Sequence, residues 1–229
     1  MRSLFQKFPM PSGQTGVAVP LSLAAGPGAL CGILASMGLT ALCAPAALPA
    51  LVAPIGASSV LVFAIPASPL AKPRAVIMGN ILSAATGVLV SLLIVNPMLA
   101  AGLAVGLAIM VMSATRTLHP PGGAAALTAV MLHPSSAGLE TALLFPLIPV
   151  GLNSLVLVCI GMMFHRLSGH SYPHHTVTIP HQTEKAAGLH REDILAALHK
   201  TGETFDIEIE DLERLLILAE AHSKQCLPA

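Results

Sequence analysis

Charged residues divide the chain into two regimes. Residues 8–71 contain no Lys, Arg, Asp or Glu, and neither do 75–115, 117–139 or 141–165. A membrane-spanning helix needs about 20 consecutive apolar residues. Four stretches reach that length, roughly 21–43, 75–95, 98–115 and 142–165. Two shorter stretches, about 47–66 and 121–133, are punctuated by Pro and Gly. Their uninterrupted apolar runs are too short for an ordinary span, so they read as half-helices or re-entrant elements. The pattern changes after residue 166. Residues 167–183 form a polar, His-rich linker, and 184–229 read as soluble. There Ile194, Leu195 and Leu198 share one helical face within His190–Lys200. Leu212, Leu215, Leu216 and Ala219 do the same within Ile209–Ser223. Asp206 stands where an N-cap of this second helix belongs. The expected fold is all-α: a polytopic transmembrane helical bundle over 21–166, a cytosolic segment 1–20 before it, and an acidic cytosolic helical tail over 184–229.

Composition supports this division. Of 229 residues, 54% are hydrophobic and 10% charged, against about 25% charged in an ordinary soluble domain. Mean hydropathy is +0.78. Disorder is excluded for most of the chain, and so few charged side chains cannot solvate a soluble globule. The formal net charge of zero conceals an asymmetry. Residues 1–166 hold six cations (Arg2, Lys7, Lys72, Arg74, Arg116 and Arg166) against Glu140 alone, a net of +5. Residues 167–229 hold five cations and ten acids, a net of −5. Cys31, Cys43, Cys159 and Cys226 show no CxxC spacing and read as small hydrophobes rather than a disulfide or zinc set. No compact apolar region with a cleavage site precedes residue 20, so no cleavable signal peptide is expected.

Two topologies are open. Six crossings, with both short segments passing through as broken helices, put all six cations of the first part on one side. The intervening loops near 44–47, 96–97 and 134–141 carry no basic residue. That is the positive-inside distribution, with both termini cytoplasmic. Four crossings with two re-entrant segments also bring the termini together but split Lys72/Arg74 from Arg116. Six is preferred. The order long–broken–long then occurs twice. Pro54-Ile55-Gly56-Ala57-Ser58 parallels Pro121-Gly122-Gly123-Ala124-Ala125, and each run is followed by a long helix with an early Asn, Asn80 or Asn153. Three crossings per copy would make a 3+3 inverted repeat, which points to a transport site at the midplane.

The richest run for chemistry is Thr115-Arg116-Thr117-Leu118-His119-Pro120-Pro121-Gly122-Gly123. Pro120-Pro121 stops one helix and starts another. Gly122 and Gly123 would bare backbone N–H groups at a helix N-terminus, which suits an anion. Thr115, Arg116 and His119 would stand beside it. Gly56, Ala57, Ser58 and Ser59 offer the same arrangement from the first half, with hydroxyls added. Asn80 and Asn153 complete the candidate substrate-binding set. Packing supplies the competing reading: Gly and Ala permit close helix approach, Arg116 can anchor a helix end, and buried Asn can bond between helices. Lys72 and Arg74 lie at the cytoplasmic mouth, where they attract anions or set topology. His165, His170, His174, His175 and His181 crowd the linker without metal-ligand spacing. Residues 1–139 contain no acid, which disfavours a cation pathway or proton pump. No nucleophile, base and orienting acid assemble, so no enzyme activity is expected.

Leu118-His119-Pro120-Pro121-Gly122-Gly123-Ala124, following Thr115-Arg116-Thr117, resembles the signature of the HPP family of integral membrane proteins. Ala53-Pro54-Ile55-Gly56-Ala57-Ser58-Ser59-Val60-Leu61 and Ser68-Pro69-Leu70-Ala71-Lys72-Pro73-Arg74 are similar to its other two blocks. Ile55 stands where Phe is common. Many bacterial members continue into paired CBS domains. The 229 residues show none, and nucleotide sensing by such domains is not expected. Chloroplast and cyanobacterial members are implicated in nitrite transport. The resemblance therefore implies a permease for a small inorganic anion, nitrite first, acting as a homodimer or higher homo-oligomer.

The expected setting is the cell inner (plasma) membrane, multi-pass, with membrane lipid and a small anion as partners and no nucleic acid, metal or cofactor. Two other readings remain: a membrane-embedded interaction or regulatory protein acting through its tail, and a channel for a small neutral solute.

Overall fold

The computed structural model describes residues 21–133, 138–174, 191–201 and 206–226. The N-terminal segment 1–20, the tip of the 134–141 loop and most of the His-rich linker, including His175 and His181, lie outside the described residues. Among the described residues every regular element is helical. Helix α1 spans Leu21–Cys43, α2 Pro54–Ala64, α3 Pro73–Leu93, α4 Pro97–Ala114 and α5 Pro121–Leu132. Helix α6 covers Leu139–Leu144. A π-type turn, Pro146–Gly151, broken at Ile148, leads into α7, Leu152–Ser168. Two tail helices follow, α8 at Arg191–Thr201 and α9 at Ile209–Cys226.

Four helical stretches are long and apolar enough to cross a membrane: Leu23–Cys43, Pro73–Leu93, Pro97–Ala114 and Leu139–Ser168. They coincide with the four long stretches of the sequence. The two short ones are helices of 11 and 12 residues, about 16–18 Å at 1.5 Å per residue.

Proline punctuates the bundle. Helices α2, α3, α4 and α5 each begin on Pro, at 54, 73, 97 and 121. The first turn has no use for the missing N–H, and the fixed φ is already helical. Asn96 caps α4 by accepting from Leu99 N at 3.1 Å. Gly169, at φ 75°, terminates α7.

Helix α3 packs on α4 and α5, while α1 packs on α2 and α7. The main core gathers Ile55, Val62, Phe63, Val76, Phe145 and Leu157 between α2, α3 and α7. On α4, Ala100, Ala104 and Ala108 repeat at four-residue spacing and bury a smooth face, so backbones can approach closely. Large apolar side chains cover the outside, among them Leu30, Leu89, Leu93, Met98, Met110 and Leu143. Water would penalise that surface; lipid does not.

The tail differs in detail from the sequence reading. The side chains it buries best are Ile194 and Ile217, while Leu195 and Leu215 are exposed. Asp206 does not cap α9. Its carboxylate accepts from Ser68 Oγ at 3.0 Å, because the chain reaches back to the Pro66–Lys72 turn before α9 starts at Ile209. Lys72 pairs with Glu208, and His174 Nε2 lies 2.9 Å from Asp211. Arg191 joins α8 to α9 through Glu210 and Glu213. That contact holds the Glu210 carboxyl below its ordinary range and raises the guanidinium further. The tail is thus tied to one end of the bundle.

Candidate functional site

Helix α4 ends in a Schellman arrangement: Arg116 N donates to Ser113 O at 3.2 Å, and Thr117 N to Met112 O at 2.9 Å. The left-handed position of this motif is usually Gly, yet here Arg116 holds it at φ 54°. An L side chain there costs about 1–2 kcal/mol. Arg74 Nη2 donates to Thr115 O at 3.3 Å, placing a cation at the carbonyl end of α4. Thr115 Oγ1 lies 2.8 Å from Thr117 Oγ1.

Arg116, Arg74 and Lys72 line an open cleft of about 370 Å³, with Pro69, Leu70, Ala75 and Leu118. Leu70 links this cleft to the interior, because its carbonyl lies 2.8 Å from His119 Nδ1. His119 is fully buried. It sits in the Thr115–Pro120 connector, outside both flanking helices. Burial lowers its pKa to about 4, against the opposing effect of the Leu70 hydrogen bond.

Beneath it lies a buried polar cluster. His119 Nε2 is 2.8 Å from Ser58 Oγ on α2. Asn80 Nδ2, on α3, donates to Ser58 Oγ at 3.2 Å and to Ser154 Oγ, on α7, at 3.1 Å. Ser154 Oγ in turn donates to Val150 O at 2.8 Å. Asn80 Oδ1 and Ser83 Oγ are buried without a hydrogen-bond partner. A buried polar atom left in that state costs about 1–3 kcal/mol.

Glycine makes the closeness possible. A Cβ on Gly79 would lie 2.6 Å from Thr117 O and 2.8 Å from His119 Cβ. One on Gly122 would lie 2.7 Å from Ser83 Oγ and 2.8 Å from Met112 Sδ. Gly122 is therefore a contact between α3, α4 and α5. Its amide already donates to His119 O at 2.8 Å, and that of Gly123 to Pro120 O at 3.0 Å. Neither is a bare donor. On α2, Gly56 N donates to Ala53 O and accepts Ser59 Oγ at its own carbonyl, at 3.0 and 2.7 Å. Gly56 and Ala57 face outward, away from the cluster.

The sequence-derived set thus separates. Ser58, Asn80, His119 and Gly122 meet in the cluster, and Thr115 and Arg116 stand at its mouth. Asn153 belongs elsewhere. Its Oδ1 accepts from Val52 N at 3.2 Å, and its Nδ2 donates to Thr40 Oγ1 at 2.6 Å and Ala50 O at 3.1 Å. It satisfies the irregular backbone between α1 and α2. Ser83, Ser154 and the Leu70 carbonyl were not singled out by the sequence. A lone Ser in an apolar helix ordinarily bonds to its own preceding turn, as Ser154 does, so its type carries no signal.

Comparison with known proteins follows this geometry. The family model described as HPP, transmembrane region, matches residues 15–173. The chain belongs to that family. It is 48% identical over 85 residues to a transmembrane protein of Dictyostelium discoideum, covering 35% of this chain and 30% of that one. It is 36% identical over 116 residues to a second transmembrane protein of that organism, covering 49% and 36%. The matches span about a third of each relative's length. No solved structure matches the chain.

Proposed function

We propose that this HPP-family membrane protein is a permease for a small inorganic anion, with nitrite the first candidate. The observation that carries the reading is the cleft of Lys72, Arg74 and Arg116, which shares Leu70 with the buried Ser58–Asn80–His119 cluster. Cations converging at a cleft concentrate anions, Arg74 and Arg116 foremost because Lys72 is paired with Glu208. Acids absent from residues 1–139 leave no partner for a cation in transit. Nitrite is the anion implied by the family resemblance.

The reading includes six crossings with both termini cytoplasmic, the topology in which all six cations of residues 1–166 would share one side. An inverted repeat is supported by an exchange of partners. Helix α1 packs on α2 and α7, where α4 packs on α5 and α3. The functional unit in this reading is a homo-oligomer in the plasma membrane, and the exposed apolar face of α4, including Leu103, Leu107 and Met110, is available to a second copy or to lipid.

Purified protein in liposomes tests it by nitrite uptake against protein-free vesicles. Uptake no faster than in those vesicles, with or without a pH gradient, rejects the permease. The ties of the tail to Ser68 and Lys72 favour a second reading, regulation through the tail. Deleting 184–229 separates the two. Transport survives in the first, whereas the activity disappears in the second.

A further inference from the structure

The hydrogen-bond directions in the buried cluster can be assigned from its ends. The Leu70 carbonyl only accepts, so His119 Nδ1 carries the proton. In the neutral ring Nε2 is then a lone pair, and the Ser58 hydroxyl donates to it. Ser58 accepts one Asn80 N–H, Ser154 accepts the other, and Ser154 donates to Val150 O. Gly122 and Gly123 spend their amides on His119 and Pro120 carbonyls. Every donor in this chain is therefore occupied. What remains is Asn80 Oδ1, an acceptor, and the Ser83 hydroxyl one helical turn further on. A bare anion offers only acceptors, so in this state it would find one donor there, the Ser83 hydroxyl, and would meet Asn80 oxygen to oxygen.

One proton reverses the direction. An imidazolium donates from Nε2 to Ser58. The Ser58 hydroxyl turns and donates to Asn80, which must then present its oxygen to Ser58. The amide rotates, its two N–H groups face where Oδ1 stood, and the Ser154 hydroxyl turns from Val150 O to donate to the oxygen now facing it. The Leu70 carbonyl favours that charge, but burial outweighs it. Helices α2, α4 and α5 carry no titratable side chain, and α3 carries only Arg74. The adjoining turn carries Lys72 and the connector Arg116, while α7 contributes Cys159, His165 and Arg166. None is an acid. The charged state is favourable only together with an anion, and by reciprocity the anion is favourable only together with the proton.

We propose that His119 is the proton site of an anion–proton symport, its protonation being relayed through Ser58 to turn Asn80 from an acceptor into a donor for the anion. This rests on the permease reading and adds its coupling. One proton and one monovalent anion cross together, so the cycle moves no net charge.

The test uses the full chain in liposomes, with nitrite as the probe, a trapped pH dye, and a potassium–valinomycin potential. Uptake above protein-free vesicles should follow the proton gradient, rise about tenfold per unit fall in external pH, and ignore voltage. His119→Gln should lose the gradient-driven part, roughly tenfold or more. Ser58→Ala, which removes little volume, should lose it too. In detergent, nitrite added to wild type in weak buffer should be accompanied by proton uptake. Uptake that follows voltage and ignores pH overturns the coupling while leaving the permease intact. Nitrite binding without proton uptake also overturns it. Uptake equal to that of empty vesicles overturns the permease reading and this inference with it.

Discussion

Ser58 and His119 are 61 positions apart in the chain, and their Oγ and Nε2 atoms are 2.8 Å apart in the fold. That contact joins a short helix of the first half to the connector that opens a short helix of the second. It depends on Gly79, where α3 passes under the connector with no room for a side chain.

Gly79→Ala should therefore displace the connector rather than fit beside it. The clash at 2.6 Å is with a backbone carbonyl, which yields less readily than a flexible side chain. A loss of about 1–3 kcal/mol is expected, together with a fall in nitrite uptake. Gly38→Ala, with nothing within 4 Å, is the control and should leave both unchanged. Thermal unfolding in detergent and liposome uptake measure the pair.

Asn153→Ala should affect stability more than transport. It strands Val52 N–H and the Ala50 carbonyl, each costing about 1–3 kcal/mol when buried and unpaired. Residual folded protein should keep the pH dependence of the wild type. An altered pH profile with unchanged melting would place Asn153 in the transport site instead.

Arg116→Gly should separate stability from function in the opposite sense. Glycine relieves the left-handed backbone at φ 54°, so the melting temperature should not fall. Losing one of the three cleft cations should slow uptake several-fold at low salt and flatten its salt dependence. Uptake equal to wild type at low ionic strength contradicts a role for the cleft.

Lys72 and Glu208 should behave as an exchangeable pair. Lys72 is about half exposed (48%), so the pair should contribute at most about 1 kcal/mol. Glu208→Lys should loosen the tail and speed its proteolysis. Adding Lys72→Glu should restore protection, and a failure to do so would mean that other contacts hold the tail.

Much of the architecture was legible because lipid imposes length. The stretches 75–95 and 98–115 became Pro73–Leu93 and Pro97–Ala114. The first began two residues late because Arg74 looked like a boundary, whereas Pro73 is the helix start. Site residues were harder. Asn80 and Asn153 are indistinguishable in sequence, each an early amide in an apolar helix. Non-local backbone separates them: Asn153 faces an irregular loop, Asn80 faces other side chains. The amides of Gly122 and Gly123 promised a bare helix N-terminus, but two prolines before them tighten the turn until those amides bond within it. Asp206 looked like a cap because its local sequence allows one, and Ser68, 138 positions away, claimed it.

The short lengths of α2 and α5 also bear on how the protein is made. A helix of about 16–18 Å carrying Pro, Gly or Ser cannot be released into lipid alone as it leaves the ribosome. The long helices can. Helix α2 emerges after α1, which packs on it, but its Ser58 meets Asn80 only when α3 follows, and α5 is synthesised after α3 and α4, whose surfaces then receive it. A reporter fused after Ala64 should show α2 poorly integrated, and one fused after Leu93 should show it held. Biogenesis here is a matter of the order in which neighbours arrive, and a mutation at Asn80 would be felt by the quality-control machinery before it was felt by any solute.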